Sequence, residues 1–193
     1  MMVPVIAWSA WRPHDRLTWW MEVVPVYIAF IGLFISEARG WKFSNFALWM
    51  IGFHMVILLI GGHYTYALVP IGDWVSAWAG FERNHYDRLG HLTQGFVPAI
   101  VCREIFLRRE IFAKPAWLGF FVFTFCLAFS ALYELIEWLA ALISAEGAAA
   151  FLGTQGDIWD TQWDMFLAGL GALMALILTR KIHDRSIRRL ETA

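Results

Sequence analysis

The stretch WLGFFVFTFCLAFSALY at residues 117–133 decides the fold class, because none of its side chains carries a charge. With its continuation to residue 143, this run is long enough to cross about 30 Å of hydrocarbon as an α-helix. The composition agrees: 60% of the 193 residues are hydrophobic, 16% are charged, and the mean hydropathy is +0.56. The sequence therefore predicts an all-α integral membrane protein with a single domain over residues 1–193.

Further apolar segments on both sides of this run predict a bundle of about five transmembrane helices. The predicted spans are residues 19–36, 46–63, 89–107, 117–143 and 164–180. Residues 1–14 begin with an apolar run that is too short to cross a bilayer, which favours a stubby or interfacial helix. The bundle has six members instead of five if residues 1–14 form an extra membrane segment.

The Lys and Arg residues predict the orientation in the membrane. With the C-terminus in the cytoplasm, 11 of the 15 basic residues lie inside, as the positive-inside rule requires. They are Arg39, Lys42, Arg103, Arg108, Arg109, Lys114, Arg180, Lys181, Arg185, Arg188 and Arg189. Residues 144–160 contain no Lys or Arg and are expected to face outward. Nearly every acid and histidine in or beside a span then lies toward the outer leaflet, where ionisable residues indicate a functional site.

A polar stretch, GTQGDIWDTQWDM at residues 153–165, precedes the last predicted span. It contains three carboxylates, of which Asp160 and Asp164 are four positions apart and share one face if the helix begins near Asp160. Asp157 lies just before them in the loop. The alternative is an N-terminal cap, since Asp near a helix start satisfies free N–H groups. One Asp would suffice for that role, so the pattern favours a polar site.

A second polar constellation lies at residues 84–94, NHYDRLGHLTQ. Helical spacing places Asp87, His91 and Gln94 on one face. Together with His85, this stretch offers two imidazoles and a carboxylate, which suit a divalent transition metal, while an Asp–His pair equally suits general base chemistry. In the alternative interpretation, Asp87 caps the helix and His91 is a hydrogen-bonded packing residue.

Two acids in the fourth span, Glu134 and Glu137, are one turn apart and cannot easily remain two desolvated anions. A metal ion, Arg88, a protonated histidine or protonation of one acid has to compensate them. The alternative is a structural ion-pair network.

Near the end of the second span, His63 offers a ligand, and Tyr64 and Tyr66 offer hydroxyl donors, although interfacial tyrosines usually anchor a helix. His54, in the middle of the same span, is interpreted as a packing histidine and left out of the site.

Glu104 and Arg108, at i and i+4, are interpreted as a surface pair.

Several function classes are disfavoured by the sequence. No G-x-S-x-G, phosphate-loop or H-E-x-x-H pattern occurs, which disfavours covalent catalysis and nucleotide hydrolysis. The net charge of −1 and the absence of a basic nucleic-acid motif predict no nucleic-acid partner.

Several of these motifs together resemble the YjdF family of bacterial inner-membrane proteins. They are GGHYTYA at 61–67, NHYDRLGH at 84–91, QGF at 94–96, YELIEW at 133–138 and the stretch at 153–165. The resemblance covers almost the whole chain; more distantly, the order of these motifs looks like that of the VanZ-like membrane proteins. It implies a multipass protein of the bacterial inner membrane and supplies no established reaction. The chain departs from the family in its short N-terminus.

The leading hypothesis is metal-assisted hydrolysis of an amphiphilic or lipid-linked substrate reached from the outer leaflet. The expected metal ligands, for a divalent ion such as zinc, are His63, His85, His91, Asp157 and Asp164. The expected catalytic residues are Asp87, Glu134, Glu137 and Asp160. The expected substrate contacts are Tyr64, Tyr66, Gln94, Gln155 and Gln162. The alternatives are a proton- or cation-coupled carrier, a lipid-handling protein and a non-catalytic structural protein; no inverted repeat supports the carrier.

Overall fold

The computed structural model describes residues 2–143 and 157–192, and the regular structure in these two ranges is helical. The helices are α1 (Val3–Ala10), α2 (Arg16–Ala38), α3 (Asn45–Tyr64), a 3-10 helix (Tyr66–Leu68), α4 (Pro70–Ala79), α5 (Tyr86–Arg108), α6 (Pro115–Ile143), α7 (Asp160–Leu178) and α8 (Arg180–Glu191).

Five long helices overlap the five predicted spans. In the described ranges, α2, α3, α6 and α7 are long and apolar enough to cross a membrane. Helix α5 is as long as α2, with 23 residues, but polar side chains such as Gln94 and Glu104 lower its hydropathy and are buried inside the bundle. Helix α1 has eight residues, about 12 Å, and packs against α3 without spanning. The predicted all-α membrane fold is confirmed.

Local sequence explains where the helices begin. The Asp15 carboxylate accepts a hydrogen bond from the Thr18 N–H at 2.7 Å and so caps α2, and this bond holds the pKa of Asp15 below its usual value. Ser44 caps α3 in the same way through the Ala47 N–H.

Helix α5 lies at the centre of the bundle and packs against α3, α6 and α7. Its contact with α7 depends on glycines, because a Cβ at Gly95 would collide with the carbonyl of Ala168 and a Cβ at Gly171 would collide with the carbonyl of Leu92. Small residues at a helix interface allow close packing. Gly171 fulfils this role, whereas a Cβ at Gly169 would make only ordinary contact with Phe123.

The contacts of α5 show that α3 and α6 run antiparallel to it, that α7 runs parallel to it, and that the bundle has two polar ends. Its first turns meet the end of α6 and the start of α7, and its last turns meet the start of α3 and α8. We call the first region the site end and the second the basic end. Between them lies an apolar layer that includes Ile100, Cys102, Val122, Cys126 and Ala172.

The basic end contains a buried polar network that the sequence did not predict. Glu104 is fully buried, so its interpretation as a surface residue is wrong. Its carboxylate accepts hydrogen bonds from the N–H and hydroxyl of Ser44 at 2.7 and 2.6 Å, and lies 3.0 Å from His183 Nε2. The neighbouring Arg103–Asp184 ion pair, at 2.6 Å, also joins α5 to α8. These contacts fix α8 against the bundle.

Candidate functional site

Three helices bring polar side chains together around His91 at the site end. The Nε2 atom of His91, on α5, lies 3.6 Å from Asp87 Oδ1 and 3.9 Å from Asp164 Oδ2, which α7 supplies. The Nδ1 atom on the other side of the ring lies 3.7 Å from Glu134 Oε1, on α6. One ligand atom from each of Asp87, His91 and Asp164 lies within 4.8 Å of the other two. Three ligand atoms at this spacing could hold a cation.

Several atoms of this group are buried without a hydrogen-bond partner among the described residues: His91 Nδ1, Glu134 Oε1 and Asp164 Oδ1. These three residues are only 5%, 8% and 3% exposed. A buried polar group that makes no hydrogen bond costs about 1–3 kcal/mol. These buried atoms therefore need a further interaction partner, and water, a proton or a cation can provide that interaction.

A small cavity adjoins the cluster. Asp87 and His91 line it together with Glu22 of α2 and Glu137 of α6. Its volume is about 40 Å³, which suffices for a few waters or an ion with part of its hydration shell. The cavity is too small to enclose a whole organic substrate.

Backbone geometry and two glycines hold Tyr66 at this cavity. Thr65 has φ +68°, a value that a non-glycine residue rarely adopts, and it turns the chain from α3 into the 3-10 helix. The Tyr66 ring then packs against Gly61 and Gly90, where a Cβ would collide with it. Its hydroxyl comes within hydrogen-bonding reach of Glu22, as does that of Tyr133.

Ion pairs join the loops on the aqueous side of the site. Arg83 lies 2.8 Å from Asp160 and 3.4 Å from Asp157, and Arg88 lies 2.6 Å from Asp157. The side chain of Asp160 therefore pairs with an arginine and makes no cap hydrogen bond for α7. Arg88, which the sequence offered as a partner for Glu134 and Glu137, pairs with Asp157 instead.

His85 lies beside these pairs, at the start of α5. Its ring meets Phe81 edge-on, with centroids 4.7 Å apart. Partial burial, together with the positive charges of Arg88 and Arg83, lowers the pKa of His85, so the neutral imidazole is favoured. The ring is not part of the group around His91.

Other predicted site residues lie elsewhere. His63 Nδ1 is 3.1 Å from the Ser9 carbonyl, and its ring stacks on Trp8 at 4.4 Å, on the α1 side of the bundle. Tyr64 also packs near Trp8. Gln162 is exposed on α7, whereas Gln94 is buried and lines the cavity. Gln155 lies outside the described residues.

Among the residues that line the cavity, three with polar side chains were not in the predicted set: Glu22, His54 and Tyr133. His54 was interpreted as a packing residue, but it lines the cavity and its buried Nε2 has no hydrogen-bond partner in the described part of the chain. The sequence feature that could have identified Glu22 and His54 is an ionisable side chain within an apolar span, and both residues have it.

Carboxylates outnumber bases in the interior of the site. Glu22, Asp87, Glu134, Glu137 and Asp164 surround or adjoin His91. Like charges at this proximity repel each other strongly in a medium of low polarity. A divalent cation would relieve this repulsion and supply the missing partners.

The comparisons with known proteins agree with the membrane fold. Residues 1–185 match the model of a family described as "Predicted membrane protein (DUF2238)". The chain is 48% identical over 185 residues to "Inner membrane protein YjdF" of Escherichia coli, an alignment that covers 96% of this chain and 88% of that protein. No solved structure matches the chain. Together with the apolar helices, this similarity supports a multipass protein of the inner membrane.

Proposed function

This chain belongs to the DUF2238 family of membrane proteins, and we propose that it binds a divalent metal ion, such as zinc, and hydrolyses an amphiphilic or lipid-linked substrate. In this proposal the site end faces the periplasm and the C-terminus the cytoplasm, which is supported by the basic residues at the other end of the bundle.

The observation that carries the proposal is the environment of His91. Its Nε2 faces two carboxylates, and its Nδ1 faces a third, Glu134, at 3.7 Å. Histidine ligands of metals commonly donate the N–H of the other ring nitrogen to a carboxylate, which fixes the tautomer and the ring orientation. His91 would thus bind through Nε2, with Asp87 and Asp164 as further ligands and Glu134 as the orienting carboxylate.

The distances are compatible with a metal site after a small contraction. Ligand atoms around a tetrahedral zinc ion lie about 3.3–3.5 Å apart, given metal–ligand distances of about 2.0–2.1 Å. The two separations from His91 Nε2 are 3.6 and 3.9 Å. The third separation, between Asp87 and Asp164, is bounded only at 4.8 Å, so side-chain rotation has to bring these two carboxylates closer together.

The remaining acids have a chemical role beside such an ion. A bound divalent metal activates water for attack near neutral pH and leaves an open position for substrate. Glu137 and Glu22 line the cavity where that water would lie, and a carboxylate there can accept its proton. The hydroxyls of Tyr66 and Tyr133 lie within hydrogen-bonding reach of Glu22 and would hold that carboxylate in place.

The carrier alternative has less support. A carrier needs a polar route from the site to the opposite end of the bundle. The layer between the two ends is apolar along α5, where Val97, Ala99 and Ile100 are buried. The polar residues of the basic end bond to one another.

Elemental analysis of protein purified without chelator tests the metal. We expect stoichiometric divalent metal in the wild type and a large loss in Asp164→Asn and His91→Gln. Asp73→Asn, a change at a carboxylate that bonds to Asn84 outside the cluster, is the matched control and should retain the metal. Wild-type protein without stoichiometric metal would overturn this part of the proposal.

Hydrolysis is tested separately by incubating metal-loaded protein with an Escherichia coli lipid extract and following the products by mass spectrometry. Wild type should generate products that the Glu137→Gln variant, with its metal retained, does not. Identical product profiles for the two proteins would contradict the assigned role of Glu137.

A further inference from the structure

Helix α8 turns one continuous row of basic side chains away from the bundle. At 3.6 residues per turn, four of its basic side chains project within an arc of about 100°. They are Lys181, Arg185, Arg188 and Arg189, and all four are exposed. None of the four side chains makes an ion pair or a hydrogen bond with another residue that the structure describes. We call these four side chains the basic face of α8. Its charge is available to an external partner.

The buried network at the basic end fixes the rotation of α8 that exposes this face. His183 and Ile187 lie on the opposite side of the helix and are buried. The His183 ring lies against the carboxylate of Glu104 at 3.0 Å. Asp184, an acid of the same helix, is paired with Arg103 at 2.6 Å. The charge of Asp184 is therefore already compensated within the bundle, and the basic face stays positive.

The exposed apolar side of α7 continues directly into the basic face of α8. Thr179, between the two helices, keeps α-helical backbone angles, and hydrogen bonds between residues four apart cross the junction. Ile177, 73% exposed on α7, lies one turn before Lys181 and on the same side of the chain. Leu178 and Ile182, 64% and 56% exposed, are related in the same way. This side of the chain changes from apolar to basic within about one turn, as the surrounding lipid changes from acyl chain to headgroup.

We infer that the basic face of α8 binds the anionic headgroups of phospholipids at the basic end of the bundle. Clusters of Lys and Arg directly after a membrane span attract anionic lipids. The exposed Ile182 beside this face favours a lipid surface over a soluble acidic partner, because its side chain can enter the apolar boundary of the same leaflet. In the proposed orientation this is the cytoplasmic leaflet, which carries a negative surface potential. The inference depends on neither metal binding nor hydrolysis.

Electron spin resonance of spin-labelled lipids tests this binding. The full chain is reconstituted in phosphatidylcholine vesicles that contain a trace of spin-labelled phosphatidylglycerol or of spin-labelled phosphatidylcholine. The fraction of label with restricted motion gives the relative affinity of each lipid for the protein. Wild type should prefer phosphatidylglycerol several-fold, and about 1 M salt should remove most of this preference by screening the charges. Equal affinity for the two lipids would overturn the inference and leave a soluble acidic partner for the basic face.

A pair of variants with equal charge tests whether the preference belongs to α8. The first variant combines Lys181→Gln, Arg185→Gln, Arg188→Gln and Arg189→Gln, and should lose most of the preference. The matched control combines changes at four exposed basic residues of the same end that lie outside α8: Arg39→Gln, Lys42→Gln, Arg109→Gln and Lys114→Gln. It should retain most of the preference. Equal losses in the two variants would contradict the assignment to α8.

The four side chains of the basic face point away from His183 and Glu104, so their replacement should leave the fold intact. Thermal unfolding of both variants in detergent measures this directly. The wild-type comparison of the two lipids at low and high salt decides the inference even if the α8 variant fails to fold.

Discussion

His91 Nδ1 and Glu134 Oε1 face each other at 3.7 Å, and neither atom has a hydrogen-bond partner in the described ranges although both side chains are buried. The two residues belong to different helices, α5 and α6. A slight closure of the two helices would form the hydrogen bond that orients His91 toward Asp87 and Asp164.

This relationship predicts the effect of Glu134→Gln. The amide cannot stabilise the ring tautomer as a carboxylate does, so metal affinity should fall about 10–100-fold while the fold is retained. Metal titration gives the affinity, and thermal unfolding reports on the fold. Glu82→Gln, at an exposed acid of the same end, should have no effect on affinity. Unchanged affinity in Glu134→Gln would mean that Glu134 does not orient His91.

The second prediction concerns the contact between α5 and α7. Gly95→Ala places a methyl group against the Ala168 carbonyl, a backbone atom that cannot rotate away. Overpacking of this kind costs about 1–3 kcal/mol, so the midpoint of thermal unfolding in detergent should fall. Gly52→Ala is the matched control, because no atom lies within 4 Å of the added Cβ, and it should cause no loss. Equal stability of the two variants would contradict the close packing.

The third prediction concerns the buried network at the basic end. Glu104→Gln removes a buried carboxylate that accepts the Ser44 N–H and lies against His183. Removing one partner from a buried charged pair should lower the free energy of unfolding by about 3–5 kcal/mol. Glu37→Gln, at an exposed acid of the same end, should cost little. Chemical unfolding measures both. A double-mutant cycle with His183→Gln should show coupling, and additive effects would argue against the contact.

The fourth prediction is the orientation of the chain. Ile158→Cys and Thr192→Cys place thiols at exposed positions before α7 and at the end of α8. A membrane-impermeant maleimide should label position 158 from the periplasm and should reach position 192 only after the cells are opened. Cys102 and Cys126 are buried and should give little background. Labelling of both positions in intact cells would reverse the proposed sidedness of Thr192.

The amino-acid sequence by itself determined the fold class and much of the polar content of the site. Apolar length alone predicts that residues 117–143 form a membrane helix, because only a helix satisfies its own backbone hydrogen bonds in hydrocarbon. Spacing within one helix predicts that Asp87 and His91 share a face, and in the structure they do. These features are local, so no knowledge of neighbouring helices is needed.

The tertiary structure decided which helices meet and which face each turns toward the others. His63 and His91 appear equivalent in the sequence, but the rotation of α3 turns His63 toward Ser9 and brings His54 to the cavity. The sequence alone suggested that Glu104 is a surface residue, but in the structure α8 covers it. Periodicity fixes the angle between side chains on one helix, whereas the rotation of that helix depends on packing, such as the approach of Gly95 to Ala168. That approach joins residues far apart in the chain, and local sequence does not encode it.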